Sequence, residues 1–226
     1  MLAKPSLFTF ITLFVVTLLS NPAMAAKQNK QTEQDGWGLG LDKRTVETNW
    51  YHHGTGGATT HEVFDLLGVK GEYQMPFTKL DQLQLDFSIG GTLFFAGEYT
   101  GERGISTYDG DAAGFEIDAA VQAAFDAGSI NLLGRVGGSL TVITGSAASD
   151  TAPSPYDEDF THTIPEIFGA VGIKFEQFKV MGATSASLMY RFTLVDLGAS
   201  TDYYIYGDVE SIEHSNYGIF FTVNFR

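Results

Sequence analysis

The segment from Leu83 to Phe95 alternates between large apolar residues and polar or small ones. A period of two places each set on its own face of an extended strand. The same period recurs in eight segments, so the sequence predicts an all-β fold of long strands. In chain order these segments are Trp37–Leu41, Val63–Met75, Leu83–Phe95, Phe115–Phe125, Ile130–Val142, Ile167–Phe175, Ala186–Leu194 and Tyr217–Phe225.

The connections between these segments alternate in length. Short links join the second segment to the third, the fourth to the fifth and the sixth to the seventh. Short turns on one side of a membrane and long loops on the other are typical of an antiparallel barrel that crosses it. The predicted long loops cover residues 49–62, 97–112, 145–162 and 196–214.

The two faces of the strands differ in a way that separates a membrane barrel from a soluble one. A soluble eight-stranded barrel shows the same period, but its outer face carries many long polar side chains. Here the polar face is crowded with Gly, Ala and Ser, which fit a narrow lumen, and the apolar face has bulky residues near both ends. The sequence therefore predicts an eight-stranded antiparallel up-and-down transmembrane β-barrel over residues 36–226, with the apolar face in lipid.

The N-terminal residues have the pattern of a cleaved signal peptide. Lys4 precedes an apolar stretch from Leu7 to Leu19, and Ala23-Met24-Ala25 provides a small-x-small cleavage site. The alternative is a short membrane anchor, but the stretch falls below the roughly 20 apolar residues of a spanning helix. We predict a signal peptide at 1–25 and a short polar lead-in at 26–35.

Composition limits the partners of the chain. It has no cysteine, so no disulfide can stabilise it in an oxidising compartment. Its formal net charge of -14 at pH 7 argues against nucleic acid, which needs a basic surface. No motif indicates a cofactor.

The last segment resembles the C-terminal signal strand of outer-membrane β-barrels, and the whole chain is similar to small eight-stranded barrels such as the transmembrane domain of outer-membrane protein A and outer-membrane protein X. The resemblance implies the outer membrane of a Gram-negative bacterium, contact with its lipid and lipopolysaccharide, and delivery by the barrel-insertion machinery. It also implies surface interaction, envelope integrity or slow passage of small solutes. The assembly signal would be Tyr217, Ile219, Phe221, Val223 and Phe225.

Charged residues alternate with the apolar ones and so face the predicted lumen. Because eight strands enclose a space that side chains nearly fill, we expect ion pairs that close the barrel. The alternative is a gated, porin-like pore lined by the same groups. The residues are Asp42, Lys70, Glu72, Asp86, Glu116, Asp118, Arg135, Glu166, Lys174 and Arg191.

The predicted outer loops concentrate acidic residues. Asp157, Glu158 and Asp159 could hold a divalent cation, but no calcium-loop motif is present and solvated surface charge is the simpler interpretation. The loops could also contact an extracellular partner.

The sequence Glu213-His214-Ser215-Asn216 at the start of the last strand suggests catalysis. Lipid A deacylases of the outer membrane are eight-stranded barrels with a Ser-His pair at the outer rim. Those enzymes have the two residues two positions apart, whereas His214 and Ser215 are adjacent and point to opposite faces of a strand. We therefore predict a non-enzymatic barrel, with a narrow channel as the first alternative and a lipid A-modifying hydrolase as the second.

Overall fold

The computed structural model describes residues 36–52, 60–103, 106–128, 130–149, 158–175, 183–201 and 209–225. The predicted signal peptide and lead-in lie outside these residues. Gln34–Arg226 form one compact unit. In the described segments no helix has the length and hydropathy needed to cross a membrane.

Nine strands form one antiparallel sheet, and all except the two-residue β8 belong to a closed ring of 8. Each strand from β1 to β6 pairs with the next strand along the chain, and β9 closes the ring between β7 and β1. The predicted eight-stranded up-and-down barrel is confirmed. The strands are β1 Gly36–His52, β2 Thr60–Leu80, β3 Leu83–Arg103, β4 Ser106–Asp126, β5 Asn131–Ser149, β6 Glu158–Phe175, β7 Ser185–Asp196, β8 Ser200–Thr201 and β9 Val209–Phe225.

The outer wall of the ring carries a continuous apolar belt. Its side chains include Trp37 and Leu93, each 64% exposed, together with Ile89, Ile117 and Val171. A contiguous belt of exposed apolar side chains does not face water. In lipid, only a closed barrel or a helix satisfies the hydrogen bonds of its own backbone. The chain is therefore a transmembrane β-barrel of the outer-membrane type, as predicted.

The predicted long loops are wrong for most of their described residues, which continue the strands beyond the belt, while residues 53–59, 104–105, 150–157 and 202–208 lie outside the described part of the chain. We call this extension the collar: residues 43–52 of β1, 60–66 of β2, 97–103 of β3, 106–112 of β4, 143–149 of β5, 158–164 of β6 and 209–216 of β9. In the collar the polarity of the two faces is reversed, so that apolar side chains point into the barrel and polar ones point outward. Val46 and Trp50 are buried in the barrel while Lys43 is exposed outside it. The outward apolar residues end at the membrane surface, but the strands continue beyond it. The pattern of outward apolar residues therefore predicts strands that are too short.

Two irregularities mark the boundary between belt and collar. The register of β2 against β3 shifts between Leu67 and Gly68. The register of β3 against β4 shifts between Phe94 and Glu98. Both shifts leave Phe95 without an opposing residue, and such bulges redirect side chains and bend the strand.

The collar is interrupted on one side. β7 ends at Asp196, which pairs with Glu166, while β6 and β9 both continue past that level. Above Glu166, β5 still pairs with one edge of β6, and the other edge is joined in the described residues only by β8, through His162 and Thr163. The side chains of β7 cap the edge of β9: the backbone N–H of His214 donates to Asp196 and that of Asn216 to Thr193, both at 2.8 Å.

Candidate functional site

The membrane-level lumen is occupied by ion pairs that reach across the barrel. Arg44 on β1 contacts Asp42 through Nε at 2.7 Å and Glu116 of β4 through Nη2 at 3.1 Å. Arg191 on β7 contacts the same Glu116 oxygen through Nη1 at 2.8 Å and also pairs with Glu166 of β6. One carboxylate of β4 is thus held by cations from two strands that are not its neighbours.

A second set of ion pairs is centred on Asp118. Arg135 on β5 contacts Asp118 of β4 at 2.6 Å and Glu72 of β2 at 2.7 Å. Lys70 on β2 contacts the other Asp118 oxygen at 2.5 Å. These pairs join β2 to β4 and β5, so they also cross the interior.

Aromatic rings cover the other side of these cations. Arg191 lies 3.8 Å from the centroid of the Phe168 ring, and Lys70 lies 5.4 Å from that of Phe220. Arg44 lies over Phe94 at 5.9 Å. A cation placed over an aromatic face is attracted by the ring and is shielded from water. The lumen therefore holds its charges between carboxylates and rings.

The structure places every predicted lumenal residue inside the barrel. Arg44, which is 1% exposed, was missed as a lumenal residue because the first predicted strand ended at Leu41, whereas β1 continues to His52. The inward phenylalanines were missed because each is adjacent to an outward apolar residue. The predicted set is buried throughout: Asp42, Lys70, Glu72, Asp86, Glu116, Asp118, Arg135, Glu166, Lys174 and Arg191.

Above the ion pairs, the interior of the collar is an apolar cluster. Phe64 packs against the rings of Tyr99 and Phe160, with centroids 5.2 and 5.6 Å away. Gly145 on β5 makes room for the Phe160 ring, since a Cβ at this position would lie 2.6 Å from Phe160 Cζ. The buried members are Val46, Phe64, Leu66, Phe94, Tyr99, Ala112, Ile143, Ala147, Phe160 and Ile164.

One carboxylate lies within this cluster and was also missed. Glu62 is 2% exposed and accepts hydrogen bonds from Thr48 at 2.7 Å, Trp50 at 2.8 Å and Tyr99 at 3.1 Å. His162 lies 3.6 Å from the same carboxylate. Three side-chain donors, on Thr48, Trp50 and Tyr99, therefore converge on a single acidic group.

The candidate catalytic residues do not form a nucleophilic pair. His214 is buried, with Nδ1 2.7 Å from Asp196 and Nε2 3.9 Å from Glu166. Ser215 is exposed on the opposite face of β9. His214 thus has orienting acids, but the Ser215 hydroxyl that a Ser-His mechanism would use does not face it.

Among the remaining predicted residues, Asp159 and the assembly residues lie on the outside of the barrel. Asp157 and the side chain of Glu158 fall outside the described residues, and Asp159 is exposed. In the described part of the chain, no group of three or more His, Asp or Glu is arranged to hold a metal ion. The predicted assembly residues lie on the outer face of β9, where Ile219 is 53% and Phe221 36% exposed.

No protein-family model matches the chain. No curated protein matches it either.

Solved structures of outer-membrane barrels are similar to it. Ail of Yersinia pestis, in complex with the heparin analogue sucrose octasulfate, has a TM-score of 0.40 and 10% identity over 85% of this chain and 99% of Ail. The protease OmpT of Escherichia coli has a TM-score of 0.44 and 8% identity over 88% of this chain and 99% of OmpT. AlkL in lipid bilayers has a TM-score of 0.41 and 12% identity over 88% and 92%.

Proposed function

We propose that this protein is a non-enzymatic outer-membrane barrel whose lumen is closed by side chains and whose acidic collar serves surface interaction or envelope integrity. The observation that supports closure is the set of ion pairs between strands that are not neighbours. Arg44 joins β1 to β4, Arg135 joins β5 to β2, and Arg191 joins β7 to β4. Side chains that meet across the barrel occupy the path that an ion would take.

The apolar cluster of the collar closes the same path a second time. Phe64 and Ile143 have no exposed surface, and Phe160 is 4% exposed. A hydrated ion loses its water in such a layer, and this desolvation is costly without compensating ligands. A solute would therefore have to disrupt both layers to pass.

Conductance of the purified protein in planar bilayers tests this proposal. We expect no steady conductance from the wild type. The variant Arg135→Gln should also be silent, but its unfolding midpoint should fall because a buried carboxylate loses its partner. A cation-selective wild-type current that changes with Arg135→Gln, at an unchanged unfolding midpoint, would establish the channel instead.

The non-enzymatic part of the proposal has its own test. Lipopolysaccharide incubated with the folded protein should keep its number of acyl chains, as measured by mass spectrometry. Deacylation by the wild type that is lost in His214→Gln would show the hydrolase.

Assembly through the terminal strand is also part of the proposal. Phe225→Ala should lower the outer-membrane fraction and increase periplasmic degradation, because the barrel-insertion machinery would lose an aromatic contact. Normal accumulation of this variant in the outer membrane would remove Phe225 from the signal.

A further inference from the structure

A furrow runs along the outer wall of the barrel, where the belt meets the collar. It encloses about 1180 Å³ and is open to the outside. We call it the belt furrow. Its collar side carries Asp65, Glu98, Asp111 and Asp159, and its belt side carries Leu67, Phe95 and Ala113.

The collar side of the belt furrow is a row of carboxylates at one level. Asp65 lies directly opposite Glu98 across β2 and β3, and Glu98 lies directly opposite Asp111 across β3 and β4. All three are exposed. Like charges in directly opposite positions of a sheet destabilise it, so a cation at this row would relieve a cost that the fold carries. Among the described residues lining the furrow, Lys43 is the single basic one.

The belt side of the furrow is apolar and lies at the edge of the membrane. Phe95 is 57% exposed, and Leu67 is 41% exposed. Phe95 continues the outward face of Leu93, and the register shift at this point places Glu98 on the same outer face. An alkyl chain lying on these side chains continues directly into the surrounding lipid.

We propose that the belt furrow binds an amphiphile with a protonated amine head and an alkyl chain. The ammonium group donates charge-assisted hydrogen bonds to the carboxylate row, and the chain packs on Leu67 and Phe95. An anionic head would meet three directly opposed carboxylates and one lysine, so the charge of the furrow selects the cation. The furrow lies on the outer wall, and this inference therefore does not depend on a closed lumen.

Dodecylamine is the probe that tests this inference, with the full chain in phosphatidylcholine nanodiscs. Backbone amide shifts of Glu98 and Asp111 are followed by NMR as the amine is added. We expect a saturable shift, and a midpoint about tenfold higher in the double variant Asp65→Asn/Asp111→Asn, the loss expected for about one charge-assisted hydrogen bond. The matched control is Glu102→Gln/Asp109→Asn, which removes the same charge from the collar outside the furrow and should change the midpoint by less than about twofold.

The head and the chain are tested separately. Dodecanol should give no saturable shift at Glu98, since it lacks the ammonium, and Phe95→Ala should weaken dodecylamine binding. Equal losses in the two double variants, or saturation with dodecanol, would overturn the proposal. So would binding of dodecyl phosphate with Mg²⁺ in the absence of dodecylamine binding, which would assign the row to a bridging divalent cation. Heat-modifiable gel mobility confirms that each variant is folded.

Discussion

The membrane layer and the collar are built from the same strands but have opposite interiors. At the level of the belt, the outside is apolar and the lumen holds ion pairs such as Arg135–Asp118. In the collar the outside is acidic and the inside is an apolar cluster around Phe64. The surrounding solvent explains the inversion. A wall that faces lipid places its polar groups inside, and a wall that faces water does the reverse.

The comparison shows that the two layers depend on different forces. The collar interior is stabilised by the hydrophobic effect, as in a soluble protein. The membrane layer gains little from moving apolar side chains out of water, because they remain in lipid, and its interior is held by charge pairs shielded by aromatic rings. Comparable substitutions in the two layers should therefore have different effects on stability and insertion.

The largest effect is expected for a broken ion pair in the membrane layer. Arg135→Gln leaves Glu72 and Asp118 without one of their cations and should lower the free energy of unfolding by roughly 3 to 5 kcal/mol. Urea unfolding followed by gel mobility measures the loss. The double variant Arg135→Gln/Glu72→Gln should recover part of it, since one of the unpaired charges is removed. Equal instability of the single and double variants would contradict charge pairing as the cause.

The outer wall provides the next test, on a single strand. Ile89→Arg places a cation in the belt and should cost about 2 to 4 kcal/mol, so that stable insertion fails. Thr100→Arg places the same side chain on the exposed collar part of β3 and should be tolerated. The folded fraction in vesicles is the measurement. Equal insertion of both variants would contradict the boundary between belt and collar.

A smaller effect should distinguish the two apolar environments. Ile143→Val removes a methyl group from the collar interior and should cost about 1 kcal/mol, as in a soluble core. Ile117→Val removes a methyl group from the lipid-facing wall, where Ile117 is 56% exposed, and should have little effect. The unfolding midpoints of the two variants in the same lipid give the comparison. A larger loss for Ile117→Val would mean that the belt packs like a core.

The smallest expected effect is a titration on the outer surface of the collar. The Tyr51 hydroxyl donates to Glu213 at 3.2 Å, and the charge of Glu213 raises the pKa of the Tyr51 phenol. Because the folded-state pKa is raised, the contact stabilises the fold below the unfolded pKa of about 10 and is lost as the pH rises through the folded value. Absorbance of the phenolate should show Tyr51 titrating at lower pH in Glu213→Gln. An unchanged titration would exclude the contact in solution.

The sequence was sufficient for the ring and for the lipid-facing side, because the two-residue period and the composition of the faces are local properties. It was not sufficient for the collar, where the period continues with its polarity reversed, as from Leu41 to Val46. The inward position of Arg44 follows from the same continued period. The pairing of Arg44 with Glu116 does not, since the two residues are 72 positions apart and meet only through the curvature of the closed ring.

The early end of β7 has a mechanical consequence. In the membrane layer every strand is hydrogen-bonded to a neighbouring strand on both sides, so widening the ring requires breaking a ladder of hydrogen bonds. In the described part of the collar, the wall is open between β6 and β9, because the short β8 extends β6 and has no recorded pairing with β9. An open wall can widen when its strands bend, whereas a closed ring can widen only when hydrogen bonds between strands break. The outer end of the protein should therefore yield to a pulling or wedging force along this seam, while the transmembrane ring below it stays rigid.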